Sequence, residues 1–297
     1  MSIYSLWGAL EIGLIFGLVA LGVLISFRLL RFPDLTVDGS FPLGGATAAT
    51  LISMGWDPFS ATAVATLAGA LAGMLTGWLN VKLKIMDLLA SILMMIALYS
   101  INLRVMGRPN VPLISEPTIF TILQPDNLSD YVARPLILIV VVIAAKILLD
   151  WFFSTQIGLA MRATGSNPRM ARAQGVATGT MVLTGMAISN ALCALAGALF
   201  AQSQGGADIS MGIGTIVIGL AAVIVGESIM PSRRMVIITL AVIVGAVLYR
   251  FFIALALNAD FIGLKAQDLN LVTAVLVTVA LVIPLLKQRL RGKITGR

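Results

Sequence analysis

The sequence contains no histidine and a single cysteine among its 297 residues, and only 11% of its side chains are charged. Each shortage excludes something. Without histidine there is no imidazole proton relay and no histidine metal site. Cys193 has no partner for an intrachain disulfide, and its place inside an apolar run reads as small-residue packing. Soluble domains carry roughly 25% charged residues. With 59% hydrophobic residues and a mean hydropathy of +1.02, this chain reads instead as an all-α, polytopic membrane protein. Signatures of chemistry are missing too. Neither HExxH nor GxSxG occurs, and the Gly292–Lys293 pair is followed by Ile294 without the glycine-rich loop of a phosphate cradle. The chain is therefore expected to be no enzyme, to hold no cofactor or metal, and to have no ATPase site of its own.

What is present is a series of apolar runs. Residues 4–27, 59–79, 88–103, 136–153, 181–202, 214–226, 235–255 and 269–286 read as membrane segments. A second, irregular segment at 32–54 brings the expectation to about nine, within a range of eight to ten, all in one transmembrane domain, 1–297. No basic residue precedes the first run, so it reads as a retained span rather than a cleaved leader. The net charge of +7 needs no nucleic acid to explain it. Arg28, Arg31, Lys82, Lys84, Arg162, Arg169, Arg172, Arg233, Arg234 and five residues of the tail KQRLRGKITGR fall on one side of the nine-segment path. Arg104, Arg108, Arg134, Arg250 and Lys265 fall on the other. By the positive-inside rule this places the N-terminus outside and the C-terminus inside.

Four residues are candidates for a translocation path. Glu11 lies about two turns into the first span, where a charge must face either the bundle interior or an aqueous mouth. Asp34, Asp38 and Gly39 lie in FPDLTVDGSFPLGG, residues 32–45, whose prolines and glycines should break a helix. Irregular backbone at membrane depth survives only where protein buries it or where it lines a cavity. The segment is either part of the path or a plain turn before a tilted helix. Gly13 with Gly17, and Gly69, Gly73 and Gly77, form small-residue ridges suited to close helix contact. Lys146 and Asp150 are spaced to pair along a helix. The connection at 104–134 is long, proline-rich and carries Glu116, Asp126 and Asp130; it reads as a cap on the outer face.

The most informative stretch is GLAMRATGSNPRMARAQGV at 158–176, within a loop of about 155–180. Asn167 is a good N-cap, Pro168 suits the first helical position, and Gly175 supplies a left-handed stop. Between them lie about two turns of helix, too short to be stable alone. Its two arginines and small alanines would suit a groove on another protein, although a basic inner loop is also ordinary. This loop and the small-residue helix after it, ending at Gln202, resemble the permease subunits of binding-protein-dependent ABC importers, in the branched-chain amino-acid and ribose permease superfamily. The resemblance covers about residues 6–286. It implies that Arg162, Gly165, Asn167, Pro168, Arg169, Ala171, Arg172 and Gly175 form the element that couples to a separate ABC ATPase subunit, which binds the ATP. It further implies a second copy of the chain, an extracytoplasmic solute-binding protein meeting the 104–134 cap, a bacterial inner-membrane location, and a small polar solute such as an amino acid. A sugar or nucleoside permease, an ion-driven secondary transporter, and a membrane-embedded enzyme or assembly factor are the alternatives.

Overall fold

The computed structural model describes residues 3–124 and 129–257, together with Val275, Thr278 and Val282. The proposed segment at 269–286, the basic tail and Asp126 lie outside the described residues. In chain order the helices are α1 (Ile3–Val23), α2 (Val37–Ser53), α3 (Pro58–Val81), α4 (Asp87–Met106), α5 (Ile119–Leu123), α6 (Asp130–Ser154), α7 (Gln156–Ser166), α8 (Pro168–Ala173), α9 (Thr178–Gln204), α10 (Thr215–Ile229) and α11 (Met235–Leu257). A π-helical turn, Leu24–Leu29, extends α1. Two three-residue strands, β1 (Asn110–Pro112) and β2 (Gly206–Asp208), form an antiparallel ribbon with Val111 opposite Ala207. Apart from that ribbon, the regular structure among the described residues is helical.

Among the described residues, six helices are long and apolar enough to cross a membrane: Tyr4–Leu29, Pro58–Val81, Asp87–Met106, Asp130–Ser154, Thr178–Gln204 and Met235–Ala256. Of the nine segments expected, the second and the one at 214–226 form shorter helices, and the one at 269–286 lies outside the described residues. The 15 residues of α10 rise about 22 Å, less than a hydrocarbon core of roughly 30 Å. The helix α2, with 17 residues, is also short.

The centre of the bundle is α9. Its buried face is largely Gly, Ala and Ser, so neighbouring backbones come close without bulky side chains between them. A methyl group on Gly197 would lie 1.8 Å from the carbonyl oxygen of Phe41 in α2, and one on Gly44 would lie 1.9 Å from that of Ala194. The ridge of α3 works in the same way: a methyl at Gly73 would sit 2.2 Å from the Met186 carbonyl. Gly13 in turn approaches the Cα of Val247 in α11. Both ridges visible in the sequence are helix contacts, and close packing there replaces the hydrophobic drive that lipid does not supply.

The second segment is broken, at a different place from the one its prolines and glycines suggest. Residues 31–35 are non-helical, but the helix starts at Val37 and runs through Pro42, Gly44 and Gly45 without interruption. Pro42 cannot donate to the Asp38 carbonyl. Gly212, from the chain before α10, packs against that carbonyl and the proline ring; a methyl there would lie 2.2 Å from the Asp38 oxygen. The break is therefore confined to the non-helical stretch before α2.

Candidate functional site

Two helix starts meet inside the bundle. The side chain of Asp38, in the first turn of α2, accepts from the backbone N–H groups of Ile216 (2.8 Å) and Gly214 (3.3 Å), and so caps the N-terminus of α10. Gly214 makes the turn at φ +81°. At the other end of α10, Glu227 meets Arg28 at 2.8 Å, at the basic end of α1. Glu227 is twelve residues beyond Thr215, which puts Asp38 about 18 Å from that basic end. Both short helices, α2 and α10, thus begin inside the bundle, with their N-terminal dipoles converging on Asp38.

A buried polar network fixes this geometry. Asp34, fully buried, accepts from Thr36 N (3.0 Å) and Asn190 Nδ2 (2.8 Å). Asn190 Oδ1 in turn accepts from Ser40 Oγ at 2.7 Å, and the hydroxyls of Thr36 and Thr76 share a hydrogen bond of 2.9 Å. Asn190 lies twelve residues into α9, again about 18 Å from its start. Asp34 thereby ties the non-helical stretch to α9. It holds the break in place.

Beside this junction is a cavity of about 410 Å³ between α2, α4 and the chain at 209–213. Asp38 and Gly39 line it, with Tyr99, Ser100 and Asn102 of α4. Asn102 Nδ2 donates to the Gly39 carbonyl at 3.2 Å. Glu11 is elsewhere: it accepts from Ser203 Oγ at 2.5 Å, while Arg250 stacks on Phe16 with 4.9 Å between the guanidinium carbon and the ring centroid. Of the four path candidates, Asp34, Asp38 and Gly39 come together and Glu11 stands apart. The sequence reading passed over Asn102 and Asn190, although uncharged polar side chains in apolar runs were a usable signal.

The basic end carries the second candidate surface. Thr155 Oγ1 accepts from Gly158 N at 3.3 Å to start α7. Asn167 Oδ1 accepts from Met170 N at 3.1 Å to cap α8, Pro168 opens that helix, and Gly175 at φ +83° follows it. Gly165 seats α7 on the end of α1, since a methyl there would lie 1.6 Å from the Leu29 carbonyl oxygen. Ala171 departs from its expected role. It is 4% exposed, packed inward on its own chain, whereas Met170 is 62% exposed and Arg169 and Arg172 face outward. A cavity of about 680 Å³ next to α8 brings Arg172 together with Arg31 and Lys84. Another gathers Arg162, Arg233 and Arg234 near Asp150, which also pairs with Lys146 and accepts from Thr239 Oγ1 at 2.7 Å.

Residues 6–286 match the family described as "Branched-chain amino acid transport system / permease component". The chain belongs to that family. The permease is also similar to the "Tyrosine transport system permease protein" of Clostridioides difficile (strain R20291), with 38% identity over 264 residues, covering 89% of this chain and 86% of that protein. It is 38% identical over 221 residues to "Uncharacterized protein RP368" of Rickettsia prowazekii (strain Madrid E), covering 74% of this chain and 76% of the relative. No solved structure matches the permease. With six membrane-length helices among its described residues, it is a multi-pass membrane protein of the permease type found in ABC transport systems.

Proposed function

We propose that this permease is the membrane subunit of a bacterial inner-membrane ABC importer for an amino acid, aromatic ones included. The observation that carries the reading is the short helix α8. It is capped at both ends, it sits at the end of the bundle where basic residues gather, and its Arg169, Met170 and Arg172 are exposed among the described residues. Such a surface suits a cleft on a separate ATPase, which would bind ATP and drive transport. Basic residues at that end support an N-terminus outside and a C-terminus inside. The β1–β2 ribbon and α5 then form the outer cap, where a solute-binding protein would deliver its load. A second copy of the chain would complete a symmetric pair with the path near its axis. The named substrate of the Clostridioides relative supports an amino acid over a sugar.

Reconstitution with an ATPase subunit and a binding protein encoded nearby tests the proposal. Tyrosine or phenylalanine should enter proteoliposomes only when ATP and both partners are present. A second reading has its own observation: convergent half-helices such as α2 and α10 also occur in ion-driven secondary transporters. Uptake by the permease alone under a proton or sodium gradient, with no ATP, would favour that reading and defeat the first.

A further inference from the structure

The cavity beside Asp38 has more hydrogen-bond acceptors than donors. Asn102 is 1% exposed, and its amide orientation is fixed because only the Nδ2 end can meet the Gly39 carbonyl. Among the described residues, Asn102 Oδ1 has no hydrogen-bond partner. A carboxylate offers about four acceptor positions, and Gly214 N and Ile216 N account for two of those on Asp38. Among the described residues no lysine or arginine lines the cavity, and the rest of its wall is largely apolar, including Met95, Ile96 and Ile213. Its volume of about 410 Å³ lies within the roughly 300–1,000 Å³ typical of small-ligand sites.

We propose that this cavity is a selective ligand site in the membrane subunit itself, and that it takes a primary ammonium group attached to an apolar or aromatic side chain. The inference rests on the importer reading and adds a second point of discrimination beyond the binding protein. Asn102 Oδ1 and the free positions of Asp38 accept from the ammonium group, and the side chain packs on Met95, Ile96 and Ile213. The hydroxyls of Tyr99 and Ser100 are the side-chain donors left for a carboxylate. An organic anion without an ammonium group meets a carboxylate and an unmatched carbonyl, and is rejected.

The test uses Ser100→Cys in the full chain, reconstituted with its ATPase; Cys193 is buried and silent. Labelling by a water-soluble thiol reagent is measured with L-phenylalanine, phenethylamine or 3-phenylpropionate present. Phenylalanine and phenethylamine should slow labelling and phenylpropionate should not. Adding Asn102→Leu should raise the phenylalanine concentration needed for protection about tenfold or more, a change typical of losing one hydrogen bond to a charged group. Adding Asp38→Asn, which preserves size and can still cap α10, should weaken phenethylamine similarly and so serves if the leucine variant fails to fold. Equal protection by phenylpropionate, no labelling of the Ser100→Cys variant, or unchanged protection when Asp38 or Asn102 is replaced would overturn the site. Copurification of the ATPase is scored in the same preparations. If the ATPase binds while protection fails, only the site falls; if the ATPase does not bind, the importer reading and the site fall together.

Discussion

Gly165 and Gly175 lie ten residues apart in one loop, yet replacing each with alanine should have different consequences. At Gly165 the added methyl would collide with the Leu29 carbonyl, a backbone atom that can move only if α7 or the end of α1 moves. At Gly175 there is open space, and the obstacle is the left-handed backbone alone, worth about 1 kcal/mol. Gly165→Ala should therefore cost more, about 1–3 kcal/mol by analogy with overpacked cores. Thermal melts of the detergent-solubilised protein should rank Gly165→Ala well below Gly175→Ala. Asp34 is a comparable case in the polar network. Asp34→Ala would leave Thr36 N without its acceptor and Asn190 Nδ2 with only the Met186 carbonyl, at about 1–3 kcal/mol for the stranded amide, whereas Asp34→Asn keeps an acceptor for at least one of them. The same melts should place the alanine variant lowest. Equal stability of the two would mean that water reaches the site and that Asp34 does not hold the break.

The elements divide into those legible in the sequence and those set by distant contacts. The cap, the opening proline and the stop glycine of α8 are all within ten residues of one another, so local rules give its limits closely. The glycine ridges of α1 and α3 are equally local, since regular spacing puts them on one face. By contrast, the close packing of α2 at Pro42 involves Gly212, far along the chain, which lies against the Asp38 carbonyl and the proline ring. The shortness of α10 depends on Asp38 capping it across 176 positions. No local pattern reports such a pair. The inward packing of Ala171 is invisible for the same reason, as the spacing of a two-turn helix does not say which side its own protein covers. A consequence for α8 follows. Met170→Glu alters an exposed side chain and should block ATPase association while leaving the melting temperature within a few degrees of the parent. Ala171→Glu should instead lower stability by several kcal/mol, because a carboxylate would be forced into a site that holds a methyl group. Pull-down with the ATPase subunit and melting of the free permease separate the two effects. Intact ATPase binding by Met170→Glu would remove α8 from the interface.

For the whole molecule, the orientation in the bilayer decides which surface meets which partner. Gathering of Arg31, Lys84 and Arg172 around one cavity and of Arg162, Arg233 and Arg234 around another supplies in three dimensions the charge asymmetry first read along the sequence. The opposite end holds the β ribbon, where the Asp208 carboxyl is kept below the usual range by the hydroxyl and amide of Ser210. It also holds Gln202, which joins α9 to α5 by accepting from Ile119 N and to α3 by donating to Thr62 Oγ1. If the basic end faces the cytoplasm, Arg169→Cys should be protected from a membrane-impermeant thiol reagent in intact cells and should react once the membrane is opened. Ile114, which is 89% exposed beyond β1, gives the opposite marker: Ile114→Cys should react in intact cells without permeabilisation. Because the native thiol of Cys193 is buried, the unsubstituted chain provides a blank for both measurements. Reactivity of Arg169→Cys from outside with protection of Ile114→Cys would invert the molecule, put α8 beyond the reach of a cytoplasmic ATPase, and bring the importer reading down with the orientation.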